Sequence, residues 1–147
     1  MAAINTRRVG LGALAGGLVW VIWSTVVNLG ILSGRYAQLQ GAGRLVPEPR
    51  VPFFIGAWFL TLFALAGIVA WLYAALRATR GAGPRTALEV GVLVGFAAGF
   101  PINLSNAAWS VAGRVVALWW MVDLWVGAIL AALVAGWLYR DETAPPA

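Results

Sequence analysis

Residues 115–139 read VVALWWMVDLWVGAILAALVAGWLY, an apolar run with one charged side chain, Asp123, in its whole length. Crossing the hydrocarbon of a bilayer takes about 20 residues of low polarity at about 1.5 Å each. The run therefore predicts a transmembrane helix, because a backbone surrounded by lipid must satisfy its hydrogen bonds within itself. Three further stretches meet the same standard: approximately Val9 to Ser33, Pro52 to Leu76 and Thr86 to Ser110. The expected fold class is all-α, an integral membrane four-helix bundle forming a single domain over residues 1–147. An outer loop is expected at 34–51 and a disordered cytoplasmic tail at 140–147. A small β-barrel is excluded, because the runs are continuous and do not alternate over enough strands.

Composition agrees with lipid as the main solvent. The chain is 62% hydrophobic and 10% charged, with a mean hydropathy of +0.86, outside the range of soluble domains. The first run follows Arg7-Arg8 in a weak likeness to a twin-arginine leader. It exceeds the roughly 7 to 15 residues of a secretory apolar core, so it is read as a retained anchor. The net charge is +5, carried by ten Arg with no Lys or His, and every Arg lies in a tail or a junction between apolar runs. That placement speaks for topology and against nucleic-acid binding. With no Cys there is no disulfide, thiolate nucleophile or sulfur-ligated metal, and with no His there is no ordinary haem ligand. Neither a metal nor a cofactor is expected.

Orientation follows from the arginines. Arg7, Arg8, Arg77, Arg80, Arg85 and Arg140 fall on one side, and Arg35, Arg44, Arg50 and Arg114 on the other. Both termini are thus predicted on the cytoplasmic side. Trp71-Leu72-Tyr73 with Arg77 closes the second run, and Trp137-Leu138-Tyr139-Arg140 closes the fourth, as matching interfacial belts. The match suggests two tandem helical hairpins. Between them Gly81-Ala82-Gly83-Pro84 forms a turn, and Thr86-Ala87-Leu88-Glu89 fits a capping box for the third helix.

The third run carries most of the pattern. Gly91, Gly95 and Gly99 recur every four residues, and the stripe continues through Asn103, Asn106 and Ser110. Such small-residue spacing lets another helix backbone approach closely. Pro101 removes one N–H and frees a carbonyl near Ala97, which predicts a kink placed against protein or a wet cavity.

Ser24, Asn28, Thr61, Asn103, Asn106 and Asp123 all fall in the outer half of their runs, which marks a candidate polar pocket. Gly10, Gly17, Ser24, Asn28 and Arg35 share one face of the first run, and Asp123, Gly127 and Ala131 one face of the fourth. A carboxylate in hydrocarbon costs about 2.5 to 3.5 kcal/mol unless it is paired, wetted or protonated. Its candidate partners are Asn28, Asn103, Asn106, Arg35 and Arg114. Two readings stand: a buried cluster that fixes helix register, and a water-accessible pocket for a small polar solute or cation. Trp58, Trp71, Trp109, Trp119 and Trp137 fall near the interfaces as anchors, while Trp20, Trp23 and Trp125 lie nearer the centre.

Trp71-Leu72-Tyr73 through Arg77, then Gly81-Ala82-Gly83-Pro84-Arg85-Thr86-Ala87, and the closing Gly136-Trp137-Leu138-Tyr139-Arg140 carry a likeness over the second half of the chain. In these motifs it resembles a group of uncharacterised bacterial four-helix integral membrane proteins. The resemblance adds to the architecture and implies no activity; the chain is expected to be a multi-pass protein of the cell inner membrane. An enzyme is not expected, because Glu89 and Asp123 are the only intramembrane acids and no nucleophile sits beside a base. The glycine stripe and short loops favour a membrane scaffold or accessory subunit, partnered by the lipid bilayer and by a second protein or further copies of the chain. The alternative is a small-solute or ion transporter or channel, working as an oligomer through the pocket around Asp123.

Overall fold

The computed structural model describes residues 4–141, and among them every regular element is helical. Helix α1 (Thr6–Thr25) continues without a break into a wider π-helical turn, Val26–Ile31. A short α2 (Ser33–Gly41) follows, then α3 (Phe54–Arg80), α4 (Pro84–Trp109) and α5 (Arg114–Leu138). The α1 unit, α3, α4 and α5 are the four helices long and apolar enough to cross a membrane. Their outward faces are bare: Leu14, Leu29, Leu60 and Leu93 are each more than 60% exposed. An apolar perimeter of this kind requires lipid around it.

The region expected as a loop at 34–51 holds α2. Its sequence, SGRYAQLQG, is free of proline, and Tyr36 and Leu39 share a face at helical spacing. Leu39 is buried with Val27, Leu32, Ala112 and Val116, so α2 caps that end of the bundle. The helix is closed by Gly43, whose positive φ turns the chain so that the Arg44 N–H returns to the Leu39 carbonyl at 2.8 Å. At the other extreme, only Arg140 and Asp141 of the expected tail at 140–147 are described. The rest of that expectation lies outside the described residues.

The packing resolves into two hairpins, α1 with α3 and α4 with α5, joined mainly through α5, which touches the other three spans. The glycine stripe of α4 is turned inward onto α5. A methyl group at Gly91 would stand 2.6 Å from the Ile129 Cα, and one at Gly95 2.8 Å from the Trp125 Cα. Gly99 faces Leu124 and Met121 in the same way. The close approach expected of the stripe is therefore made within the chain. On α1, Gly12 and Gly16 meet Ala135 and Ala131 of α5, while Gly17 lies under the Phe63 ring of α3. Gly10 and Arg35, expected on this inward face, are exposed, since Arg35 stands beyond the break at Leu32.

Two local expectations are corrected. Thr86 and Glu89 form no capping box: α4 begins at Pro84 behind Gly83, so Thr86 is already in the first turn. The Thr86 hydroxyl donates instead to the Gly81 carbonyl at 2.8 Å, and Glu89 receives Arg80 at 3.0 Å and faces Arg85 at 3.6 Å. Pro101 does not break α4, and both Pro101 and Ala97 are exposed. The kinking residue thus stands on the perimeter, where an apolar ring suits lipid, and away from any protein cavity.

The start of α1 and the end of α5 meet at one end of the bundle. There the tandem motif has a structural counterpart. The Tyr139 hydroxyl, closing the second hairpin, accepts the Asn5 N–H that begins the first at 3.0 Å. The Tyr73 hydroxyl, from the end of the first hairpin, accepts the Gly83 N–H that begins the second at 3.2 Å. Each hairpin caps the first helix of the other, and the two rings meet edge to face at 6.2 Å.

The inward stripe makes a directed prediction. Gly91→Ala overpacks the α4–α5 contact and lowers stability in detergent by about 1 to 3 kcal/mol. Gly10→Ala, with nothing within 4 Å of the added methyl, is neutral or stabilising in the same thermal unfolding assay.

Candidate functional site

Asp123 lies one turn outward of Gly127 on α5 and is 1% exposed. The indole of Trp20 lies across Gly127, and Trp20, Leu62, Ala66, Leu124, Ala128 and Ala131 form a packed layer on the side facing the chain ends. On the opposite side, polar groups converge on the carboxylate. The Ser24 hydroxyl donates to Oδ2 at 2.8 Å and the Asn28 amide donates to the same oxygen at 3.1 Å.

The two donors come from α1 and its π turn. Asn28 also donates to the Ser24 carbonyl at 2.9 Å, a bond back along the helix that holds its amide nitrogen toward α5. The π turn widens the helix where Asn28 stands, as single π turns often do at sites. A second layer orients the first. Tyr36 of α2 donates to the Asn28 side-chain oxygen at 2.6 Å, and the Trp120 indole N–H donates to the Tyr36 hydroxyl at 2.8 Å. From α3, the Trp58 indole N–H donates to the Ser24 hydroxyl at 3.2 Å.

The direction of these bonds matters. Every hydrogen, from Trp120 through Tyr36 and Asn28 and from Trp58 through Ser24, points toward Asp123, which only accepts. Both donors meet the same oxygen, Oδ2. Among the described residues Asp123 has no basic partner, and its second oxygen, Oδ1, is buried with no hydrogen-bond partner. Two buried indole N–H groups on α1, those of Trp20 and Trp23, are likewise unpartnered. Native proteins rarely bury such atoms unless they meet a ligand, water or ion. Burying a carboxylate without a counter-charge is costly.

Tyr36 forms the roof. Burial pushes its phenol above the ordinary range, with Asp123's charge acting in the same direction and the Trp120 bond opposing both. The sign is that of an acid kept neutral: the bonds of Tyr36 are intact below the ordinary phenol range and are lost only as pH climbs past its raised value. At neutral pH Tyr36 therefore keeps its proton and both bonds.

Of the six residues marked by the sequence, the structure brings Ser24, Asn28 and Asp123 together. Asn103 is buried but spends its amide on the Gly99 carbonyl at 2.9 Å, within α4. Asn106 is half-buried and makes no side-chain bond to the cluster. Thr61 is exposed, its hydroxyl donating back to the Ala57 carbonyl at 2.9 Å, so it belongs to the perimeter. Arg35 and Arg114 are both exposed, and neither pairs with the carboxylate; Arg35 donates to Gln38 at 3.1 Å. Sequence reasoning missed Tyr36, Trp58 and Trp120. Trp120 was readable, since it precedes Asp123 by three residues on one helical face; Tyr36 was hidden by the loop reading, and Trp58 by its reading as an anchor. The chain matches no family model, no curated protein and no solved structure.

Tyr36→Phe removes the two bonds that join α2 to the cluster. It is expected to cost about 1 kcal/mol and to speed amide hydrogen exchange across 33–41, leaving α4 and α5 protected. Unchanged exchange in α2 would show that the hydroxyl does not hold the roof.

Proposed function

We propose that the chain is a small-solute or ion transporter subunit of the cell inner membrane that takes up a proton or small cation at Asp123 from the outer side. One observation carries the reading: a carboxylate 1% exposed within a membrane-crossing helix, with no basic partner among the described residues and one oxygen unbonded. A cluster meant only to fix register gains nothing from an unsatisfied charged atom, whose burial is costly. A binding carboxylate needs that free oxygen. The packed Trp20 layer closes the bundle beyond the site, so exchange runs toward the α2 roof. Passage through the membrane then calls for an oligomer or for movement of the spans.

The scaffold reading leaned on a glycine stripe open to a partner. That stripe is filled by α5, so the observation behind the scaffold now supports the fold of the single chain. The proposal assigns no catalysis to the site: the Ser24 hydroxyl that lies against Asp123 at 2.8 Å is read as a donor that holds the carboxylate.

The test is flux in proteoliposomes, read with pH- and cation-sensitive dyes. Wild-type protein conducts protons or a monovalent cation, Asp123→Asn loses at least about tenfold of that rate, a barrier change of about 1.4 kcal/mol, and Thr61→Ala retains it. Equal flux from wild type and Asp123→Asn, or none above empty liposomes, defeats the reading.

Orientation has its own check, because the chain lacks cysteine. A single cysteine at Ala42 labels with an impermeant maleimide from the outer side and one at Ala82 only from the inner side. The reverse pattern would place Asp123 in the inner half.

A further inference from the structure

At the end of the bundle away from Asp123, the last turns of α3 and α5 and the start of α4 enclose a recess of about 650 Å³. Among the described residues its charged lining is two arginines, Arg77 and Arg140, and one acid, Asp141. The Arg77 side chain is only 14% exposed, with its guanidinium 4.8 Å from the centre of the Tyr139 ring. Held there by packing and cation–π attraction, it cannot turn out into water and keeps a demand for an anion in place. Asp141 meets that demand at 2.7 Å, yet it is 54% exposed and stands beyond the end of α5. It is a loosely tethered counterion.

Two more features face the recess. Gly83 brings no side-chain cap of its own and Pro84 has no N–H, so beyond the Gly83 N–H, which Tyr73 takes, the positive end of a 26-residue helix faces the recess beside the arginines. The remaining wall is apolar, through Leu133 and Ala87, and faces from the recess toward the α4–α5 hairpin. Trp137 stands at the rim, 74% exposed, in the manner of an interfacial anchor. Charge at one end and hydrocarbon at the other describe an amphiphile.

We propose that this recess binds an anionic phospholipid, its headgroup phosphate held by Arg77 and Arg140 and an acyl chain lying past Leu133, with Asp141 taking the phosphate's place in lipid-free protein. Basic recesses between membrane helices are suited to such headgroups. The site is independent of the Asp123 reading, and shares no residue with it.

The experiment is native mass spectrometry and thermal unfolding of the full chain in detergent, with phosphatidylglycerol, phosphatidylcholine or inorganic phosphate added. Phosphatidylglycerol is retained and raises the unfolding temperature, whereas phosphatidylcholine does neither. Arg140→Gln weakens phosphatidylglycerol retention about fivefold, the scale expected for one basic contact. Asp141→Asn, by removing the competing carboxylate, strengthens it by a similar factor while breaking the ion pair. A merely structural ion pair predicts the opposite for Asp141→Asn, a loss of stability with no gain in lipid. Equal retention of the two lipids, or no gain for Asp141→Asn, overturns the proposal. Stabilisation by inorganic phosphate as large as by the lipid would assign the recess to a free anion instead.

Discussion

Along four spans this chain gives up water, and every polar atom inside must find a partner in the protein. Backbone groups meet the demand through the helices themselves. Side chains cannot, and three outcomes are seen among the polar residues of the spans. Thr61 bonds back to its own helix and stays on the perimeter. Asn103 does the same from a buried position. Ser24, Asn28 and Asp123 reach across helices to one another. Only the last arrangement makes a site, and it leaves one carboxylate oxygen unmatched.

The same constraint shapes the two ends differently. At the Asp123 end the roof is a helix, α2, tied down by a phenol and an indole. At the other end the tyrosines of the two hairpins take the leading N–H groups of each other's first helices. That exchange locks the hairpins together without any apolar driving force, which lipid does not supply between helices. Between the ends, glycine and alanine bring α5 against α1 and α4 so closely that a single methyl at Gly91 has no room. Small residues thus serve the chain's own packing, and the exposed leucines are left to the lipid.

Much of this was legible along the chain. The apolar runs marked four helices to within a few residues at most ends, because length and continuity alone distinguish a span from a soluble segment. Asp123, Ser24 and Asn28 stood out since charge and amide groups are expensive at that depth. The pattern of Trp71-Leu72-Tyr73 and Trp137-Leu138-Tyr139 announced two related hairpin ends. The errors share a cause: α2, Tyr36 and Trp58 lay at the interface, where polar and apolar sequence mix and hydropathy carries little information. Thr61 and Pro101 were misplaced because depth along a helix says nothing about which way round it a residue points.

What the amino-acid order determined by itself was the solvent, the number of crossings and the residues too polar to face lipid, since these depend on transfer free energies that add along a segment. What only the tertiary structure decided was who meets whom: that the glycine stripe of α4 is spent on α5, that no arginine reaches Asp123, and that Tyr36 closes over Asn28. Those outcomes depend on helix rotation and on the π turn at Val26–Ile31, where a shift of one residue turns a side chain by roughly 100° and changes its neighbour.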